Sequence, residues 1–162
     1  MGVELYRIDD RLIHGQVVVG WGQPLRLGFI ALVDDDVAGS DWEQELYRMG
    51  VPPDMDVYFA TVEDAATRLD GWRHDPRPGI LLTGDIETME RLVNAYPEIR
   101  HVNLGGIHHR DGRTIRLRYC YLSPHEEAAL RRLQERGVTI TAQDVPSARP
   151  IPLNDVLSGS MA

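Results

Sequence analysis

The sequence predicts an α/β fold: a mainly parallel, twisted β-sheet of about seven strands with helices on both faces. Three observations predict it. Strand-like and helix-like segments alternate along the chain, which implies right-handed crossovers between parallel neighbours. Residues 27–33 form an unbroken apolar run, the pattern of a strand buried on both faces. Cap and turn residues separate the segments at the spacing α/β units use. The 162 residues suit one domain, 1–162, with no internal repeat, low-complexity stretch or linker.

Each element has a local reason. Residues 3–8 read as the first strand, and the polar turn Asp9-Asp10-Arg11 leads to a helix starting near His14 and running through 17–21. Ser40 and Glu43 have the form of a capping box, opening a helix to about Met49 that Gly50 and the Pro52-Pro53 pair stop. A short strand at 55–60 precedes a helix at 62–69 that Thr61 caps; 73–79, with two prolines, is a loop. Strand 79–83, helix 86–96 and strand 99–104 follow. Asp111-Gly112 is a turn before 114–122, a segment rich in β formers and read as one strand. Helix 124–136 has Ser123 as N-cap, Pro124 at its first position and Glu126-Glu127 in its first turn; Gly137 ends it. Residues 138–142 are the final strand. A short helix at 152–157 and a frayed tail beyond about 158 complete the chain.

Composition removes several function classes. The net charge of −8 argues against a nucleic-acid footprint and against a polybasic membrane-surface module. No apolar run approaches the roughly 20 residues that span a bilayer, and residues 1–11 lack the pattern of a secretory leader. With Cys120 alone, no intramolecular disulfide forms, so a cytoplasmic location is the expectation. There is no lysine: all 17 basic residues are arginine, so neither a Walker-type phosphate loop nor Schiff-base chemistry can operate. Arginine, with its planar fork, still suits phosphate recognition.

The chemistry converges on the segment joining the first strand to the first helix. His14 sits near a helix N-terminus, where free N–H groups favour an anion. A neutral imidazole already carries the lone pair needed to attack phosphorus. Arg11 can neutralise phosphoryl oxygens, and Asp9 or Asp10 can fix the ring tautomer or buttress Arg11. Gly15 lets the backbone approach a phosphate closely, and Thr83 offers a hydroxyl from another strand end. Phosphoryl transfer asks mainly for positioning and charge stabilisation, which these residue types supply.

The run Arg7-Ile8-Asp9-Asp10-Arg11-Leu12-Ile13-His14-Gly15-Gln16-Val17, with Trp21 beyond it, closely resembles the active-site segment of the mannose/fructose/sorbose-type EIIB proteins of the sugar phosphotransferase system. The likeness extends over nearly the whole chain: the acidic turn 34–37, Val51-Pro52-Pro53, the Asn103-Leu104-Gly105-Gly106 turn and the step Gly137-Val138. The family's fourth-strand loop commonly reads Phe-Thr-Asn-Pro, where this chain has Leu82-Thr83-Gly84-Asp85.

The resemblance implies that His14 accepts a phosphoryl group on Nδ1 from a phosphohistidine of an EIIA partner. It implies that the group passes to a sugar translocated by membrane EIIC and EIID components, with Arg11 contacting it. No cofactor, metal or nucleotide is implied, a homodimer is compatible with the family, and attachment at the inner membrane would run through EIIC/EIID.

Two other readings are set beside this one. A regulatory phosphoprotein would share the site and differ in partners; a metal-dependent phosphohydrolase would use Asp34, Asp35 and Asp36. His108-His109 reads as a surface loop touching a partner, Trp21 as helix packing, and Cys120 as packed.

Overall fold

A computed structural model describes residues 2–159. Its centre is a seven-stranded sheet in the order β3-β2-β4-β1-β5-β8-β9. The strands are β1 (Gly2–Ile8), β2 (Phe29–Val33), β3 (Asp56–Ala60), β4 (Pro78–Thr83), β5 (His101–Leu104), β8 (Thr139–Ala142) and β9 (Ile151–Pro152). All neighbours pair in parallel except β8 with β9. Every residue of β2 is buried, as a strand covered on both faces must be.

Two points differ from expectation. The segment 114–122 is not one strand of the main sheet. It folds as a separate antiparallel hairpin of β6 (Thr114–Leu117) and β7 (Cys120–Leu122), with Arg118 and Tyr119 at its bend. The seventh place in the main sheet is taken instead by β9, two residues at the edge. The tail beyond 159 lies outside the described residues.

The helices divide between the faces, and that division makes the crevice. The chain leaving β1 forms a π-helical segment (Gln16–Trp21) continued by α1 (Gly22–Leu25); that leaving β2 forms α2 (Asp35–Ala38) and α3 (Asp41–Met49). Ile13, Val17, Val18 and Val37 from these segments pack on Ile30, Leu32, Ile80 and Leu82 of the sheet. The opposite face is covered by α4 (Val62–Arg73), α5 (Ile86–Ala95), α6 (Pro124–Glu135) and α7 (Leu153–Ser158), with Leu69, Met89, Leu92, Leu130 and Leu133 in one continuous core. Burying each such side chain stabilises the fold by roughly 1.5–3 kcal/mol. β1 lies between β4 and β5, and the chain turns to one face after β1 and to the other after β4. A crevice therefore opens at the carboxyl ends of these strands, where α/β sheets bind ligands.

Most caps follow the sequence. Thr61 accepts from the N–H of Asp64, and Ser123 with Glu126 forms a complete capping box. Ser40 precedes α3 as expected but makes no side-chain cap; its hydroxyl is buried without a partner. Gln44 instead reaches back to the carbonyls of Val37 and Ala38, tying α3 to the end of α2. α4 runs to Arg73, past the expected end at 69.

Candidate functional site

Asp9 is the hub of the site. It leaves the end of β1 fully buried, and its N–H donates to the carbonyl of Thr83 on β4. Arg11 grips it from one side with two parallel bonds, Nε to Oδ1 and Nη2 to Oδ2, each 3.0 Å, and its backbone N–H also donates to Oδ1 at 3.1 Å. Arg7 reaches Oδ2 from the other side at 3.2 Å. The same Oδ2 faces Nε2 of His14 at 3.6 Å. Burial alone pushes the Asp9 carboxyl pKa up. The His14 ring facing it, the bonds from Arg11 and the charge of Arg7 outweigh that and hold it well below the usual carboxylate range. Asp9 is thus an anion fixed between two guanidiniums.

Arg7 is the least expected member. It has no exposed surface, although it lies on a strand of the central sheet. Its guanidinium donates to Asn103 Oδ1, to the carbonyls of Gln143 and Asp144 at 2.8 and 3.2 Å, and to Asp9. It also sits 4.8 Å over the ring of Trp21, whose indole N–H donates to the Asp144 carbonyl. Burial lowers its pKa and Asp9 opposes the shift. Trp21 is 3% exposed, so its role here is the packing expected of it, against a buried cation.

The Asn103–Gly106 turn now has a physical reason. Asn103 accepts from Arg7, and the Gly106 carbonyl accepts from the Asp10 N–H. At Gly105 a Cβ would overlap the Arg7 guanidinium. Gly105→Ala is expected to destabilise the fold by about 1–3 kcal/mol, the cost of overpacking a filled interior, read as a lower urea midpoint.

His14 stands at the start of the helical run with its side chain 18% exposed. Its carbonyl accepts from the N–H groups of Val17 and Val18, and its Nδ1 accepts from the N–H of Gln16 at 3.2 Å. Both ring nitrogens therefore have assigned surroundings: Nδ1 meets a donor and Nε2 meets a carboxylate. The tautomer that suits both carries its proton on Nε2, turned toward Asp9 but too far from it for a hydrogen bond, and its lone pair on Nδ1. The loop between Asp9 and His14 is held by Leu12, whose backbone is left-handed (φ 58°) and whose side chain packs on Gly84. A Cβ at position 84 would lie 2.7 Å from Leu12 Cδ2, which accounts for a glycine there.

The other predicted residues lie close by in different roles. Asp10 does not meet His14: its carboxylate accepts from the His108 backbone N–H at 2.7 Å and contacts His108 Nδ1 at 2.6 Å. Of the two acidic candidates, Asp9 is the one whose carboxylate faces the His14 ring. Thr83 is fully buried, and its hydroxyl donates to the carbonyl of Asp85 at 3.3 Å. Asp85 itself caps α5 through the Thr88 N–H. Gly15 leaves open space, with nothing within 4 Å of where a Cβ would stand.

Asp34 caps α2, and Asp35 accepts from the Val62 N–H and pairs with Arg91 at 2.9 Å, so these carboxylates are committed to structure. His109 stacks edge-on against Tyr121. Cys120 is buried, its thiol pKa pushed up to about 12 by burial. Sequence reasoning assigned no role to Arg7 or Asn103. Arg7 was signalled only as a charged residue inside a strand of the motif, and Asn103 only as the first residue of the Asn103–Gly106 turn.

Fold and site together define a doubly wound α/β protein with an arginine-flanked histidine at the carboxyl end of its first strand. A family model described as the PTS system sorbose subfamily IIB component matches residues 3–161. The chain is 31% identical over 145 residues to the N-acetylgalactosamine-specific phosphotransferase enzyme IIB component 1 of Escherichia coli (strain K12), covering 88% of this chain and 90% of that one. It is 28% identical over 158 residues to the PTS system mannose-specific EIIAB component of the same strain, covering 98% of this chain and 49% of that longer protein. The crystal structure of the IIBSor domain of the sorbose permease from Klebsiella pneumoniae aligns with a TM-score of 0.86 at 28% identity, over 98% of this chain and 97% of that one. The chain belongs to the sorbose-subfamily IIB components of the PTS, as the resemblance implied. It is a phosphotransferase component in general kind. No helix among the described residues is long and apolar enough to cross a membrane.

Proposed function

We propose that this chain is a phosphohistidine carrier, a protein-Nπ-phosphohistidine–sugar phosphotransferase of the EIIB kind. His14 takes a phosphoryl group from a phosphohistidine of an EIIA-type partner and gives it to a sugar moved by membrane EIIC and EIID components. The observation that carries this reading is the orientation of His14, with Nε2 turned to the Arg7–Asp9–Arg11 ion cluster and Nδ1 to a backbone donor.

The geometry supports a definite sequence of events. The charge of Asp9 favours the proton on Nε2, so the Nδ1 lone pair attacks phosphorus while the P–N bond to the donor imidazole breaks. Charge spreads over the three phosphoryl oxygens. Arg11, with its side chain 35% exposed, neutralises one side, and the Gln16 N–H released by Nδ1 faces the other beside the open Gly15. Arg7 and Thr83 act from behind, Arg7 by fixing Asp9 and Thr83 by anchoring the loop after β4. Such a carrier works on the cytoplasmic side, held at the inner membrane through EIIC/EIID.

The test is transfer from phosphoenolpyruvate through the general PTS components and an A-type protein. An acid-labile, base-stable phosphoryl group on this chain is expected; a chain that stays unlabelled in a relay that labels a known B component overturns the reading. Arg11→Ala is expected to keep the fold, because Arg7 still pairs Asp9, while transfer slows by about 100-fold or more. Rapid-quench labelling beside a thermal melt separates the two effects.

A further inference from the structure

Next to the His14 site lies a second histidine–carboxylate pair that the carrier step does not use. His108 follows the Gly105-Gly106 turn. Its backbone N–H donates to Asp10 Oδ2 at 2.7 Å, and its ring Nδ1 lies 2.6 Å from Asp10 Oδ1. One carboxylate thus fixes both the backbone and the ring of the same residue. Ionised Asp10 only accepts, so Nδ1 carries a proton and the Nε2 lone pair points away from the carboxylate. The side chain is 67% exposed. A carboxylate that orients an imidazole by Nδ1–H and leaves Nε2 free is the arrangement by which proteins build a general base.

The position of this base matters as much as its orientation. His108 and Arg11 line the same cleft of about 250 Å³, together with Gly106, Arg118, Tyr119 and Asp144. Arg11 is the group that the carrier reading assigns to the phosphoryl oxygens, and Asp9 and Asp10 are chain neighbours serving the two histidines. A hydroxyl compound entering this cleft meets both Arg11 and His108.

We propose that His108, positioned by Asp10, is the proton acceptor for the hydroxyl that takes the phosphoryl group from His14. This rests on the carrier reading and assigns its second half. The hydroxyl oxygen attacks phosphorus, and the P–Nδ1 bond of His14 breaks with its electron pair returning to Nδ1. The hydroxyl proton passes to His108 Nε2, and the resulting imidazolium is held by Asp10. No further reactant is needed. The charged and titratable groups facing His108 are Asp10 on its ring, Arg113 on its carbonyl at 2.8 Å, and Arg11, Arg118, Tyr119, Tyr121 and Asp144 around the cleft. Arg113 is itself neutralised by Glu126 and Arg118 by Asp144.

The experiment uses the full chain alone, with phosphoramidate as donor and glycerol as the hydroxyl probe. Loading of His14 is measured first, and glycerol phosphate formed per loaded chain is then followed from pH 5 to 8. The wild-type rate is expected to rise with pH. His108→Asn keeps the backbone bond to Asp10 but removes the base, and is expected to slow glycerol phosphate formation about 100-fold and flatten the profile. His109→Asn is expected to keep the wild-type profile. A wild-type rate that does not rise with pH, or a His108→Asn chain that retains the wild-type rate and profile, overturns the proposal. A His14→Ala chain that loads as well as wild type instead overturns the carrier reading beneath it, so the two failures are distinct.

Discussion

Replacing His14 with alanine is expected to abolish phosphoryl incorporation from the relay, with no label above background. The size of the effect follows from chemistry. In the proposed relay His14 supplies the atom that bonds to phosphorus, so its loss removes the covalent intermediate and does not merely weaken a contact. Neither arginine can replace it, because a guanidinium stays protonated and offers no lone pair. His108 does not rescue it in the protein relay, since its ring is oriented by Asp10 and not by the Asp9 carboxylate that faces His14. The fold should survive, because the ring's only resolved hydrogen bond is to the Gln16 N–H, which nearby water can replace. Mass-spectrometric labelling combined with a thermal melt reads both statements. Label persisting at wild-type level in a folded His14→Ala chain is incompatible with the carrier role.

Arg7→Met is expected to cost about 3–5 kcal/mol of stability, the price of leaving one member of a buried ion pair without its partner. Methionine keeps much of the volume, so the loss reports charge and hydrogen bonds more than a cavity. Besides Asp9, Asn103 Oδ1 and the Gln143 carbonyl lose the Arg7 donor together, and the Asp144 carbonyl keeps only the Trp21 N–H. The loss also changes acid sensitivity in a fixed direction. The depressed pKa of Asp9 means that its ionised form contributes stability fully present above the unfolded-state value of about 3.9, lost as pH falls through the much lower folded value. Without Arg7 the folded value moves up, so acid unfolding should begin at a higher pH. Urea midpoints measured between pH 3 and pH 7 test both the size and the shift. Equal midpoints for the two proteins across that range would show that Arg7 does not hold Asp9.

The parts of this protein that could be read along the chain are those with local causes. The apolar run at 27–33 is buried because nothing polar interrupts it, and the Ser123–Glu126 box forms because both partners lie within one turn. His14, Arg11 and Asp9 stood together in sequence and meet in space. What was not legible depends on distant partners. Arg7 lies 96 residues from Asn103 and 137 from Asp144, and nothing in residues 3–8 announces that a cation there will be fully buried. Residues 114–122 have strand composition throughout, and only the tertiary fold decides that they bend at Arg118-Tyr119 into a hairpin. Asp10 looked equivalent to Asp9 until the loop after β5 brought His108 to it.

The carbonyls of Gln143 and Asp144 that receive Arg7 also set when the site comes into being. They follow β8, which pairs with β5 near the far edge of the sheet, so the cage around Arg7 closes only after a chain loop of more than a hundred residues has closed. A chain whose late strand has not docked has the whole His14 motif in sequence, yet its Arg7 lacks the two carbonyls that fix it against Asp9. Competence to carry phosphate should then appear together with completed folding and not before it, so a half-made chain diverts little phosphate from the relay.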